Sequence, residues 1–243
     1  MTDYNLFARF YDAVMGEPTE TISLLETLIE DWHPKAKHVL ELACGTGAVL
    51  QHLHSSRAVV GLDLSEGMLE IARRKMPAVP FYQGDMSAFT LPQSFDLILC
   101  LYDSINHLTT FAQWQHLFVQ VDRHLDKEGL FIFDLNTLVK LERLAQAPTF
   151  VQTFAGNYLL TDVLRTESDL YTWRLQVFEA LENDLYRRHE ANILEASFPL
   201  LQIEQEVKEH FEIKRLVDPH NAEVVSTTGR VYFVCKKRAE RIK

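Results

Sequence analysis

Three short segments carry residue types whose spacing suits ligand binding at the end of a strand. In HVLELACGTGAVLQHL (38–53), an apolar run containing Glu41 meets a tight turn, Cys44-Gly45-Thr46-Gly47, and a helical pattern starts at once. Glycine belongs where the backbone takes unusual dihedrals or where a ligand must approach it closely. Ligands of open α/β sheets bind outside the carboxyl ends of the strands, where this turn lies. Asp63 closes a second apolar run, 22 residues after Glu41. That is the place of a carboxylate accepting from ribose hydroxyls, although one that only stabilises the next helix N-terminus would look the same. Asp85 and Met86 follow a third run; Asp85 would accept from an exocyclic amine with Met86 against a flat ring, or Gly84-Asp85 is an ordinary turn. A pyrophosphate site wants a third glycine in G-x-G-x-x-G. That position is Leu50 here, which disfavours the competing reading, a nicotinamide-dependent oxidoreductase.

The elements that must hold these residues alternate strand and helix. Near-continuous apolar runs at 38–42, 58–62, 79–83, 95–101 and 129–135 predict parallel strands covered on both faces. Residues 20–32 and 110–125 carry helical spacing, and Ser65 is a natural N-cap for the helix SEGMLEIARRK, with Pro77 beyond its end. After residue 150 the period changes to two: Tyr171, Trp173, Leu175 and Val177 share one face, residues 185–196 return as a partner strand, and a weaker strand covers 158–164. A helix near 200–209 and strands at 211–217 and 230–236 end the pattern. The expected organisation is one α/β unit, 1–149 plus 199–243, interrupted by an antiparallel β insertion at 150–198.

Composition bounds the function. The chain has 243 residues, 47% hydrophobic and 24% charged, with a net charge of −10, which is ordinary globular composition. Its one basic run, KKRAERIK (236–243), reads as a solvated tail, so nucleic acid is not expected as a partner. No run reaches the roughly 18 apolar residues of a membrane span, and the first residues lack a basic signal-peptide start. Three widely spaced cysteines indicate reduced thiols and a cytoplasmic protein. The histidines lack metal-ligand spacing, and no metal is expected.

Together the three segments resemble the class I S-adenosylmethionine-dependent methyltransferases, from about Leu6 to Lys236. ELACGTG is similar to that family's first motif, GLDLSEGML to its second, QGDM to its adenine-binding segment, and FDLILCLYDSINHL and EGLFIFDLNT to its fourth and fifth strands. FARFYDAVMG resembles the lid helix of its small-molecule members. Ala43 stands where the family's pattern has its first glycine.

The resemblance implies a Rossmann-like seven-stranded mixed sheet with helices on both faces, and S-adenosylmethionine as cofactor, leaving as S-adenosylhomocysteine. It implies that Glu41 orients the aminocarboxypropyl end and that the backbone of Ala43, Gly45 and Gly47 lines the methionine moiety. Asp63 would hold the ribose, Leu64 and Met68 would flank the cofactor, Asp85 and Met86 would read the adenine, and the Leu101 carbonyl would accept from the α-amino group. The acceptor would be a small molecule methylated at O or N. Tyr102, Asn106 and His107, just past the fourth strand, are expected to face it, with His107 the group that titrates near neutrality, or else a helix-start histidine satisfied by backbone. Tyr11 would close over the methyl-transfer site, or pin the first helix to the sheet. Trp173 and Tyr171 would roof the acceptor pocket, or pack as the insertion's own core or a homodimer contact. A scaffold that keeps the fold without turnover is the remaining alternative.

Overall fold

The computed structural model describes residues 3–167 and 169–238; the last five residues of the basic tail lie outside them. Helices α1 (Asp3–Met15) and α2 (Thr19–Trp32) lead into β1 (His38–Leu42), α3 (Ala48–Leu53), β2 (Ala58–Asp63), α4 (Glu66–Lys75), β3 (Phe81–Gln83) and β4 (Phe95–Cys100). A 3-10 turn, Ser104–His107, then precedes α5 (Phe111–His124), β5 (Leu125–Asn136) and α6 (Leu138–Ala145). Strands β6 (Phe150–Phe154), β7 (Asn157–Arg165), β8 (Leu170–Ala180) and β9 (Tyr186–Ala196) form a separate antiparallel sheet. Helix α7 (Leu200–His210), β10 (Phe211–Val217) and β11 (Arg230–Lys237) finish the main sheet.

That sheet has seven strands in the order β10-β11-β5-β4-β1-β2-β3, with β11 antiparallel to both neighbours and the remaining pairs parallel. Alternate strand residues feed opposite faces. Leu40 and Leu42 join Trp114, Phe118 and Ile203 on the α5–α7 side, while Val39 joins Leu28, Leu50 and Leu69 on the α2–α4 side. Both layers are closed by apolar burial, so the strands read as continuous apolar runs rather than alternating ones. Ser65 caps α4, accepting from the Met68 N–H at 3.3 Å, and Thr110 with Gln113 forms a capping box on α5.

Helix α1 lies between the two sheets. Phe7 and Phe10 pack with Phe154, Leu159, Leu175 and Val177 of the smaller sheet. On its other side, Asn5 Oδ1 accepts from Ser65 Oγ at 2.6 Å and from the Gly67 N–H at 2.9 Å. Strand β6 and helix α6 were not expected from pattern. β6 is exposed at four of its five residues and so has no alternation to read, and α6 is a short helix with Leu141 its one buried residue.

Gly61, in the middle of β2, has no room for a side chain: a Cβ there would stand 2.5 Å from Phe81 Cδ1 and 2.7 Å from Cys44 Sγ. Gly61→Ala is therefore expected to lose about 1–3 kcal/mol through overpacking, read as a lower urea midpoint at unchanged m-value.

Candidate active site

The ends of β1 to β4, α1 and β9 enclose one cavity of about 510 Å³, a size suited to a cofactor-sized ligand. Its floor is the turn after β1, where Ala43, Gly45 and Gly47 all have positive φ, 52°, 54° and 76°. The Asp63 carboxylate ties this turn to β2. Its Oδ2 accepts from the Gly45 N–H and its Oδ1 from the Ser65 N–H, each at 2.8 Å. Burial pushes the Asp63 carboxyl up, and these backbone donors act against that shift. Helix α1 fastens the same turn from above, since Asp12 accepts from Thr46 Oγ1 at 2.6 Å and pairs with Lys75 at 2.6 Å.

Two features of this floor suit a bound cofactor. A Cβ on Gly45 would meet only Tyr11 Cε1, at 3.9 Å, so the backbone there is open to a ligand. Beneath it Glu41, 3% exposed, keeps Oε2 buried without a partner. Burial, with Asp63 nearby, pushes the Glu41 carboxyl well up, and an acceptor of this kind waits for a donor. Leu64, Met68, Asp85 and Met86 complete this half of the lining. Asp85 Oδ1 accepts from the backbone and hydroxyl of Ser87, both at 2.7 Å.

The other half is aromatic. Tyr4 and Tyr11 from α1, Tyr102 and His107 border the cavity, with Asn192, Ile193 and Leu194 of β9 beside them. Tyr4 Oη lies 3.0 Å from His107 Nε2, and His107 Nδ1 lies 3.3 Å from the Leu194 carbonyl. A carbonyl only accepts, so Nδ1 carries the proton and Nε2 accepts from the Tyr4 hydroxyl. Burial lowers the His107 pKa, against the pull of Asp103. It raises the Tyr4 and Tyr11 pKa values, so both phenols stay protonated.

Below the aromatic wall lies a polar network that the linear pattern did not reveal. Tyr102 and Asp103 are consecutive non-glycine residues with φ of 58° and 52°, a strained pair. Asp134, with no exposure, holds both: its Oδ1 accepts from the Tyr102 N–H at 2.7 Å and its Oδ2 from the Asp103 N–H at 3.0 Å. Arg230 donates to Asp134 and to Asp103, each at 2.6 Å. Burial works against the Arg230 charge, and the two carboxylates outweigh it, raising its pKa. Asn136 donates to Asp103 at 2.8 Å and to Glu195 at 3.2 Å, and Lys140 donates to Asn136 at 2.7 Å.

Five expected site residues fall outside the lining. Asn106 is fully buried and serves as a clamp, donating to the Asn136 and Ala196 carbonyls and accepting from the Asn136 N–H. Gly47 caps α3, where a Cβ would strike Met76 Cε at 2.7 Å, so its role is packing. The Leu101 carbonyl already accepts from Ser104 Oγ at 2.6 Å and the Ser104 N–H at 3.3 Å. Trp173 packs with the α1-facing cluster and with Leu141, Val163 and Tyr171. It stands one strand away from the cavity, opposite Ile193, which does line it. The period-two stripe covers α1 and α6 instead. Glu41 also stays beneath the lining, its free oxygen turned to no protein donor. Among the described residues no group of three or more His, Cys, Asp or Glu is placed to hold a metal, and no helix is long and apolar enough to cross a membrane.

A family profile described as a methyltransferase domain matches residues 39–129. A methyltransferase-named protein of Geobacillus sp. (strain WCH70) is 27% identical over 96% of this chain and 99% of its own length. The dTDP-3-amino-3,6-dideoxy-alpha-D-glucopyranose N,N-dimethyltransferase of Streptomyces fradiae is 37% identical over 45% of this chain and 44% of its own length. The crystal structure of an S-adenosylmethionine-dependent methyltransferase from Clostridium acetobutylicum ATCC 824 superposes with a TM-score of 0.86 at 25% identity, covering 97% of this chain and 99% of that one. The profile match, the superposition and the methyltransferase-named relative support a class I S-adenosylmethionine-dependent methyltransferase, an enzyme that uses that cofactor.

Ala43 has a measurable cost. An L-residue in the left-handed region costs roughly 1–2 kcal/mol, and glycine there gives back part of the gain as unfolded-state entropy, about 0.4–1 kcal/mol. Ala43→Gly is expected to stabilise the protein by about 0.5–1 kcal/mol in chemical denaturation, with S-adenosylhomocysteine affinity within twofold of the parent.

Proposed function

We propose that this enzyme methylates the amino nitrogen of a small molecule, with residues 186–196 of the insertion closing the acceptor side of the site. The observation that carries the reading is the Tyr4–His107 pair, which borders the same cavity as Gly45 and Asp63. The Streptomyces fradiae relative, named for an amino-sugar N,N-dimethyltransferase, supports nitrogen over oxygen.

The cofactor fits along the floor. Gly45 would give its backbone to the methionine moiety, Asp63 its remaining lone pairs to the ribose hydroxyls, and Asp85 with Met86 an edge and a face to the adenine. Glu41 Oε2 would take a donor from the aminocarboxypropyl end, directly or through water. Bound there, S-adenosylmethionine supplies a methyl group on a sulfonium, which passes to a nitrogen lone pair as the carbon–sulfur pair leaves with sulfur.

The chain's own residues must then free that lone pair and aim it. An amine arriving as an ammonium loses its proton to His107 Nε2, whose burial-lowered pKa keeps the imidazole neutral at physiological pH. Tyr4 stands on that nitrogen as the hydroxyl that hands the proton over. Tyr11, Ile193 and Leu194 narrow the approach, and positioning of this kind is worth roughly 7–11 kcal/mol of barrier.

The pH dependence follows in sign. A base whose pKa is lowered is protonated only in acid, so kcat/KM should fall as pH drops through a value below the ordinary 6.5 of imidazole. His107→Gln is expected to lower kcat about 10²–10⁴-fold, to leave S-adenosylhomocysteine titration within twofold, and to abolish that acid limb. An unchanged acid limb in the variant would remove His107 from the proton path. Methyl transfer to alcohols but to no amine, in a small-molecule panel, would remove the nitrogen assignment.

A further inference from the structure

We infer that the acceptor is a compact amine bound as its ammonium in an aromatic box, and that it carries no phosphate. This rests on the reading of the cavity as an amine methylation site and narrows it. Three tyrosines and a histidine border one end of a single cavity. Tyr4 stands edge-on to both Tyr11, with ring centroids 6.4 Å apart, and His107, at 5.4 Å, so the rings form walls in different planes rather than one stack. Such a set of π faces suits a cation, and it is the means by which proteins hold alkylated ammonium groups.

The surrounding charge has the matching sign. Asp63 and Asp85 line the cavity, and Asp103 lies close enough behind it to act on Tyr11. Among the described residues no lysine or arginine lines it. Arg230 sits behind the lining with its guanidinium carbon 5.6 Å from the Tyr102 centroid. It is spent on Asp134 and Asp103, which it bridges at 2.6 Å each. A diphosphate or carboxylate on the acceptor would need a fork of donors that this wall does not offer, and would face the field of the acids. The same box also suits a product that has gained methyl groups, since alkylation spreads the ammonium charge and lowers its hydration.

The test uses the whole chain saturated with S-adenosylhomocysteine, so that the sulfonium position is filled. Tetramethylammonium chloride and sodium pyrophosphate are titrated separately by NMR, with sodium chloride matched for ionic strength. The expected result is saturable binding of tetramethylammonium and none of pyrophosphate over the same range. Tyr11→Leu should weaken the cation at least fivefold, and Tyr11→Phe, which keeps the π face, should stay within twofold. If Tyr11→Leu does not fold, Tyr102→Leu takes its place with the same expectation. Tighter binding of pyrophosphate, binding of neither probe, or cation binding indifferent to loss of the ring would each overturn the proposal. Cation binding with no methyl transfer to any amine would instead fault the assigned reaction and leave the box standing.

Discussion

Asp134 is a carboxylate with no solvent exposure, and the aromatic end of the cavity hangs on it. At the end of β5 it accepts the backbone N–H groups of Tyr102 and Asp103 and the guanidinium of Arg230. Both backbone residues have positive φ without being glycine, a conformation that persists only when its surroundings over-determine it. Burial pushes the Asp134 carboxyl up, and Arg230 and the backbone donors act against that. A buried charge held this way is expensive to leave half-paired. The return is geometry: with β4 forced to turn at Tyr102, its next residues wind into the 3-10 turn that carries His107 to Tyr4.

Asp63 does the equivalent at the end of β2, joining the turn after β1 to the start of α4 through Gly45 and Ser65. The two strand-end carboxylates thus divide the site. Around Asp63 the partners are backbone groups and the latch residues Asn5 and Asp12 of α1. Around Asp134 they are the Tyr102 and Asp103 backbone and Arg230 of β11, with Lys140 of α6 and Glu195 of β9 joined through Asn136. Glu195 of β9 is the insertion's contribution, held by Asn136 and pushed well up by burial and by Asp103. The insertion is thereby tied to the β4 turn by hydrogen bonds, and to α1 by apolar packing.

These two halves differ in how far they were legible in the sequence. The Asp63 half is local: glycine turn, strand-end acid and N-cap serine follow one another within 25 or so residues, and the physics of close backbone approach forces their types. The strands showed for a related reason, because double-sided burial demands continuous apolar runs. In the Asp134 half the sequence pointed to Tyr102 and His107, just past the fourth strand, and not to the residues that hold them. Asp134, Arg230, Glu195 and Lys140 are scattered over the chain, and no spacing rule joins residues that meet only through tertiary packing. Asn106 and Trp173 show the converse error. Their types suit a pocket, but one is consumed by three backbone groups and the other by a helix-covering sheet face. Tyr4 and Asn5 precede the segment that resembles a lid helix, and nothing local distinguishes them from other residues of an amphipathic helix.

The central claim is that the proposed acceptor wall is built in advance by Asp134, whereas the proposed cofactor floor is completed by its ligand. Amide hydrogen exchange with and without S-adenosylhomocysteine tests it most directly. The amides of Tyr102 and Asp103, already donating to a buried carboxylate, should be protected in the free protein and change little on binding. The turn at residues 43–47 and helix α1 should gain protection only with the ligand. Free exchange at Tyr102 and Asp103 until the ligand arrives would contradict the account.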